Sequence, residues 1–143
     1  MTDIDSLQAK FIDTLAASGD VSDPEWLTAF HDVPRGPFVP YYFTQTPELS
    51  GWVLAESPSP QWAEGVYSNQ PLITQLNGDD TLTETARQGQ PVTGVSTSSS
   101  STPSLMALML EALDASPETR FWKSAPEPAT TPLCWPIGSA RTT

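Results

Sequence analysis

Few residues of this 143-residue chain are placed to do chemistry. His31 is the single histidine, and no Cys or paired carboxylate stands at ligand spacing from it. On an amphipathic helix it reads as a surface or core-edge residue, not a metal ligand. Asp79-Asp80 follows Asn77-Gly78 and reads as a solvated turn. Cys134 is the only cysteine, which excludes an internal disulfide framework and a Cys-rich zinc site. It lies in a proline-rich stretch with no positive helix end behind it, so it does not read as a nucleophile. No metal is expected, and no nucleophile elbow, P-loop or G-x-G-x-x-G is present. That leaves the serine run Ser96–Ser101. A free run of this kind is a flexible linker. This one feeds directly into Thr102-Pro103 and an apolar helix, so it reads as a packed binding loop.

The elements around these residues follow from periodicity. Ile4, Leu7, Phe11 and Leu15 share one face of a first helix, which Gly19 ends. A second helix opens on Asp23-Pro24, carries Trp26, Leu27, Phe30 and Val33, and stops at Pro34. Residues 33–40 read as a turn and an extended piece, with the aromatic cluster Tyr41–Phe43 after it. Prolines at 47, 58 and 60 make 44–65 irregular. Tyr67 to Leu76 reads as extended, with Leu72, Ile73 and Leu76 toward the core. Residues 79–92 read as a polar loop or hairpin. Thr102 is placed to cap a helix with Pro103 at its first position. Leu105 to Leu113 is apolar on nearly every side and should be buried in a larger structure.

Composition bounds the function. With 17 acidic side chains against 6 basic, the net charge is −11, which disfavours nucleic acid as a partner. No run reaches about 18 apolar residues, so no membrane span is expected. No secretory signal is visible, and a cytoplasmic location is the expectation. Residues 1–120 carry 16 acidic and 4 basic side chains, a net −12, whereas 121–143 carry one acidic and two basic. Four of the fifteen prolines fall in that tail, which has no helical or strand period.

Three pieces carry a resemblance to the N-terminal part of protein-L-isoaspartate O-methyltransferases. Ala29-Phe30 with Val33-Pro34-Arg35 and Phe38-Val39-Pro40 looks like the family's VPR..FVP signature. Val66-Tyr67 is followed by Pro71-Leu72-Ile73. Ser101-Thr102-Pro103-Ser104-Leu105-Met106-Ala107 is similar to its S-x-P-x-x-x-A loop and helix. The serine-rich third piece looks more like actinobacterial members, some of which modify ribosomal peptides beside ATP-grasp enzymes. The resemblance implies an α/β fold: the N-terminal portion of a class I, Rossmann-like methyltransferase using S-adenosylmethionine. It implies methyl transfer to an isoaspartyl or aspartyl carboxylate of a protein or peptide substrate. That nucleophile is already ionised at neutral pH, so positioning and water exclusion would carry catalysis. The family's active-site serine maps to Ser101. Ser99, Ser100, Thr102 and Pro103 would form the same substrate and cofactor loop.

The match stops after Arg120. Family members continue with a strand and a glycine-rich cofactor loop, where the backbone approaches the cofactor. Here Phe121-Trp122-Lys123-Ser124-Ala125-Pro126 follows, and the loop is absent. Adding one G before the Phe121 codon lets the downstream codons read Val-Leu-Glu-Ile-Gly-Thr-Gly-Thr-Gly-Tyr-Asn in register. Residues 1–120 are therefore expected to be the N-terminal part of a methyltransferase domain, and 121–143 a frameshifted, disordered tail. The chain as it stands should be mostly helical, lack the central sheet and be inactive. A methyltransferase tailoring a ribosomal peptide is the alternative within enzymes. A non-catalytic acidic interaction module using Tyr41–Phe43 as its contact is the alternative outside them.

Overall fold

The computed structural model describes residues 3–45 and 50–115. It is a mixed α/β arrangement of five helices and a four-stranded antiparallel sheet. The 120/121 boundary, the tail and Cys134 lie outside the described residues.

Helix α1 (Ile4–Ser18) starts where the Asp3 carboxylate accepts from the Asp5 amide, and ends at Gly19 in the left-handed region (φ 75°). Phe11 and Leu15 are buried as expected, while Ile4 stays 39% exposed. Helix α2 (Pro24–Asp32) is capped by Asp23, with Pro24 in its first turn. A 3-10 turn (Gly36–Phe38) follows, with Pro37 fixing φ in its first turn.

Strand β1 (Tyr41–Gln45) is rich in aromatic and β-branched residues, which favour a pleated, half-buried surface. It pairs antiparallel with β2 (Trp52–Glu56) and, through Phe43 and Ile73, with β3 (Leu72–Leu76). β3 pairs antiparallel with β4 (Ser96–Ser100), giving the order β2-β1-β3-β4. Tyr42 and Phe43 are 6% and 2% exposed, so two of the three rings are core, while Tyr41 is half-buried. Alternation sends Tyr42 and Leu72 into the cluster under α1, α2 and α3. Phe43 and Ile73 join a second cluster with Leu76, Ala86 and Val92. Register shifts between Ile73 and Leu76 let Leu72 and Leu76, of equal parity, enter different clusters.

Three expectations need correction. Residues 44–65 are not irregular throughout: they contain β2 and α3 (Pro60–Val66). Ser59 caps α3 by accepting from the Trp62 amide, and Pro60 opens it; a proline there starts a helix as readily as it breaks one. The 79–92 loop contains α4 (Thr81–Arg87), begun where Asp79 accepts from the Thr81 amide and hydroxyl. The serine run is a strand, because β3 supplies a ladder that outweighs serine's low strand preference.

Helix α5 (Pro103–Ala112) seats only Pro103 and Ala107 in the core. Leu105, Leu108, Met109 and Leu113 are 48–57% exposed, so the expected burial of this helix is not met within the described residues. Thr102 makes no side-chain cap; Asn69 Oδ1 takes that role, accepting from the Ser104 amide at 2.9 Å. Glu111 fastens the other end, accepting from the Ser22 amide and hydroxyl and from the Asp23 amide at 2.6–3.0 Å. Those bonds hold its carboxyl below the usual Glu range.

Candidate functional site

A cavity of about 330 Å³ opens between α1, α2, the 3-10 turn, β4 and α5. Its base is aromatic and aliphatic: Phe11, Phe30, Phe38, Val39, Pro103 and Met106. Its rim is Thr74 with Ser98, Ser99, Ser100 and Ser101. Arg35 is the one charged residue on its lining. The volume lies at the low end of small-ligand sites, and the apolar base with few polar groups is typical of them.

Arg35 is the least expected part of the site. It is 6% exposed, and among the described residues it has no carboxylate partner; its partners are backbone carbonyls and the Ser100 hydroxyl. Nη1 donates to the carbonyls of Val66, Ser68 and Gln70 at 3.2–3.3 Å. Nη2 donates to the carbonyls of Gln70, Ser100 and Ser101 and to Ser100 Oγ, at 3.0–3.4 Å. Burial pulls its pKa down to about 10. The planar fork suits this clamp, because its donors are fixed in direction. It ties the α3–β3 connection to the end of β4 and the start of α5. Trp62 Nε1 donating to the Val39 carbonyl at 2.7 Å holds the turn behind it. Gly36 leaves room there: a Cβ would sit 2.9 Å from Tyr67 Oη.

The fold brings four of the five sequence-predicted residues to this cavity. Ser99, Ser100, Ser101 and Pro103 line it, while Thr102 does not. Ser101 lends its carbonyl to Arg35, and among the described residues no hydrogen bond to its hydroxyl or to that of Ser99 is found. Ser98 Oγ accepts from Thr74 Oγ1 at 3.1 Å, and Ser100 Oγ is held by Arg35. His31 stays on the surface, 68% exposed, with Nδ1 3.1 Å from Asp32 Oδ1. Among the described residues no group of three or more His, Cys, Asp or Glu is placed to hold a metal. No described helix is long and apolar enough to cross a membrane.

The arrangement can bind and orient, and it offers little for proton transfer. Among the described residues, no Asp, Glu or His lines the cavity. Both terminal guanidinium nitrogens are spent on carbonyls and Ser100. Free serine hydroxyls remain to hydrogen-bond a polar group, with an apolar well beneath. No protein family, no curated protein and no solved structure matches this chain.

Proposed function

We propose that this chain is the substrate-side part of a protein carboxyl methyltransferase of the isoaspartate type. One observation carries the reading. The resemblance rests on three stretches far apart in sequence, and the single Arg35 side chain bonds to the other two: Val66 in the second, Ser101 in the third. Signature residues from the first and third stretches, Val33, Arg35, Phe38, Val39, Ser101 and Pro103, then line one cavity. A site lacking a general base also suits a nucleophile that is ionised before it binds.

The residues present do not fit S-adenosylmethionine. No carboxylate is available at the cavity for ribose hydroxyls, and the lining includes no glycine of a backbone cradle. No step is therefore derived through that cofactor. The chain's own contribution is to hold an isoaspartyl or aspartyl peptide: Ser99 and Ser101 hydroxyls hydrogen-bond its polar group, and the apolar base excludes water.

The test is genetic and chemical. One base is restored between the Arg120 and Phe121 codons, and transfer of labelled methyl groups to an isoaspartyl peptide is measured. The restored protein should transfer methyl groups, and Ser101→Ala should lower the rate. A restored protein that transfers none overturns the assignment. The 143-residue chain itself should give no calorimetric signal with S-adenosylmethionine, and micromolar binding would contradict the split into substrate and cofactor parts.

A further inference from the structure

The two edges of the sheet are finished differently. Outside β2, Val92 closes the edge: Trp52 and Val92 exchange both backbone hydrogen bonds at 2.7 and 2.9 Å, and Trp52 Nε1 donates to the Gly94 carbonyl. Glu56 on that strand is further engaged by Arg87. β4 forms the opposite edge, and among the described residues no strand pairs with its outer side. Natural edges are blunted by charge, proline, a bulge or a cover. Ser96–Ser100 itself contains no charge and no proline, and the register shift at Thr97 leaves Ser98–Ser100 as its regular end.

We propose that the outer edge of β4 takes up an extended peptide as a fifth strand, with one apolar side chain of that peptide entering the cavity. Unpaired strand amides and carbonyls select an extended backbone as their partner, because only that shape meets them in register. Serine side chains are short and let it approach. Ser98, Ser99 and Ser100 belong both to the edge and to the cavity rim, so alternate side chains of an added strand fall at the cavity mouth. Arg35 holds the carbonyls of Ser100 and Ser101, so this end of the edge is fixed before a peptide arrives. Charge sets the composition. Residues 88–110 carry no charge inside a chain of net −11, so the dock is neutral while the surrounding field draws a basic peptide. The expected ligand carries alternating basic and apolar residues beside its isoaspartyl or aspartyl residue.

This inference rests on the peptide-substrate reading and says how the peptide is held. The probe is an acetylated, amidated heptapeptide of alternating lysine and valine with a central phenylalanine, added to the full 143-residue chain. Amide hydrogen exchange is followed by NMR. Exchange in Ser96–Ser100 should slow about tenfold or more at saturation. Methylating alternate backbone nitrogens of the peptide should weaken binding at least about tenfold, a loss of about 1.4 kcal/mol. Replacing its phenylalanine by glycine should weaken binding while keeping the β4 protection. Unchanged β4 exchange, or insensitivity to N-methylation, overturns the proposal. So does a β4 already protected before peptide is added, whether by residues 116–143 or by a second copy seen in sedimentation. Protection of β4 by the probe, with no methyl transfer to an isoaspartyl peptide by the frame-restored protein, would sink the chemistry alone. Transfer without protection would sink the docking edge alone.

Discussion

Replacing Arg35 by methionine keeps the length and apolar stem of the side chain and removes the guanidinium. Five backbone carbonyls then lose their donor: Val66, Ser68, Gln70, Ser100 and Ser101. A hydrogen bond from a charged donor contributes about 1.5–3 kcal/mol. Against that stands the burial of an unpaired charge. A guanidinium pulled by burial from its ordinary value down to about 10 corresponds to about 3 kcal/mol opposing folding. The two terminal nitrogens carry four hydrogens, so these contacts are shared and count as at most four full bonds; even at the low end four outweigh this, and the carbonyls on the rim regain water. The net expectation is a loss of about 3–5 kcal/mol. That is a large share of the ~5–15 kcal/mol typical of a folded domain. Arg35→Lys should fall between, because an ammonium has three donors and no fixed fork. Urea unfolding gives the free energy, read at unchanged slope. Hydrogen exchange at 100–107 gives the location, since the β4–α5 junction should open before α1 and α2. A loss under about 1 kcal/mol for Arg35→Met, or uniform loosening of all helices, would refute the clamp.

Three further outcomes follow from the packing. A Cβ on Gly65 would lie 2.1 Å from Tyr42 Oη, whose hydroxyl is held at 2.7 Å by the Gln61 carbonyl, so Gly65→Ala should destabilise by about 1–3 kcal/mol in thermal melts. On α5, Leu108→Glu with Met109→Glu should change stability by under about 1 kcal/mol and reduce self-association in light scattering, because both are half exposed; Ala107→Leu, at a fully buried position, should destabilise by about 1–3 kcal/mol. Glu111 has its folded pKa depressed, so its stabilisation is full above the ordinary value of 4.5 and fades as pH falls through the folded value. Glu111→Gln should therefore flatten the acid limb of the stability curve, and an unchanged limb would count against the α5 anchor.

The helices were legible where their end signals are local. Asp23-Pro24 and Gly19 mark α2 and α1 through groups within a few residues of each helix end. Ser59-Pro60 carries the same kind of signal, hidden by the neighbouring Pro58 and by reading prolines only as breakers. β4 could not be read locally, since a polyserine strand exists because β3 lies beside it. The candidate site divides likewise. Ser99–Ser101 and Pro103 were visible as a loop feeding a helix. The aromatic base was not, because Phe11 and Phe30 reach the cavity from helices about 70 residues upstream of α5 or more. Arg35 did leave a trace: it is one of three basic residues within 1–115, set in a run of prolines and apolar residues. What it grips depends on contacts 31 to 66 residues away.

The contact between Glu111 and Ser22 spans 89 residues, so the two ends of the described fold close on each other. During synthesis that closure has to wait. At about 5–20 residues per second, roughly 4–16 s separate the synthesis of the end of α2 from that of Glu111. Throughout that interval Phe11 and Phe30 lack the wall that Pro103 and Met106 add to their shared cavity. The acidic surface of the growing chain then matters as timing: mutual repulsion between nascent copies helps keep these rings apart until the last helix arrives.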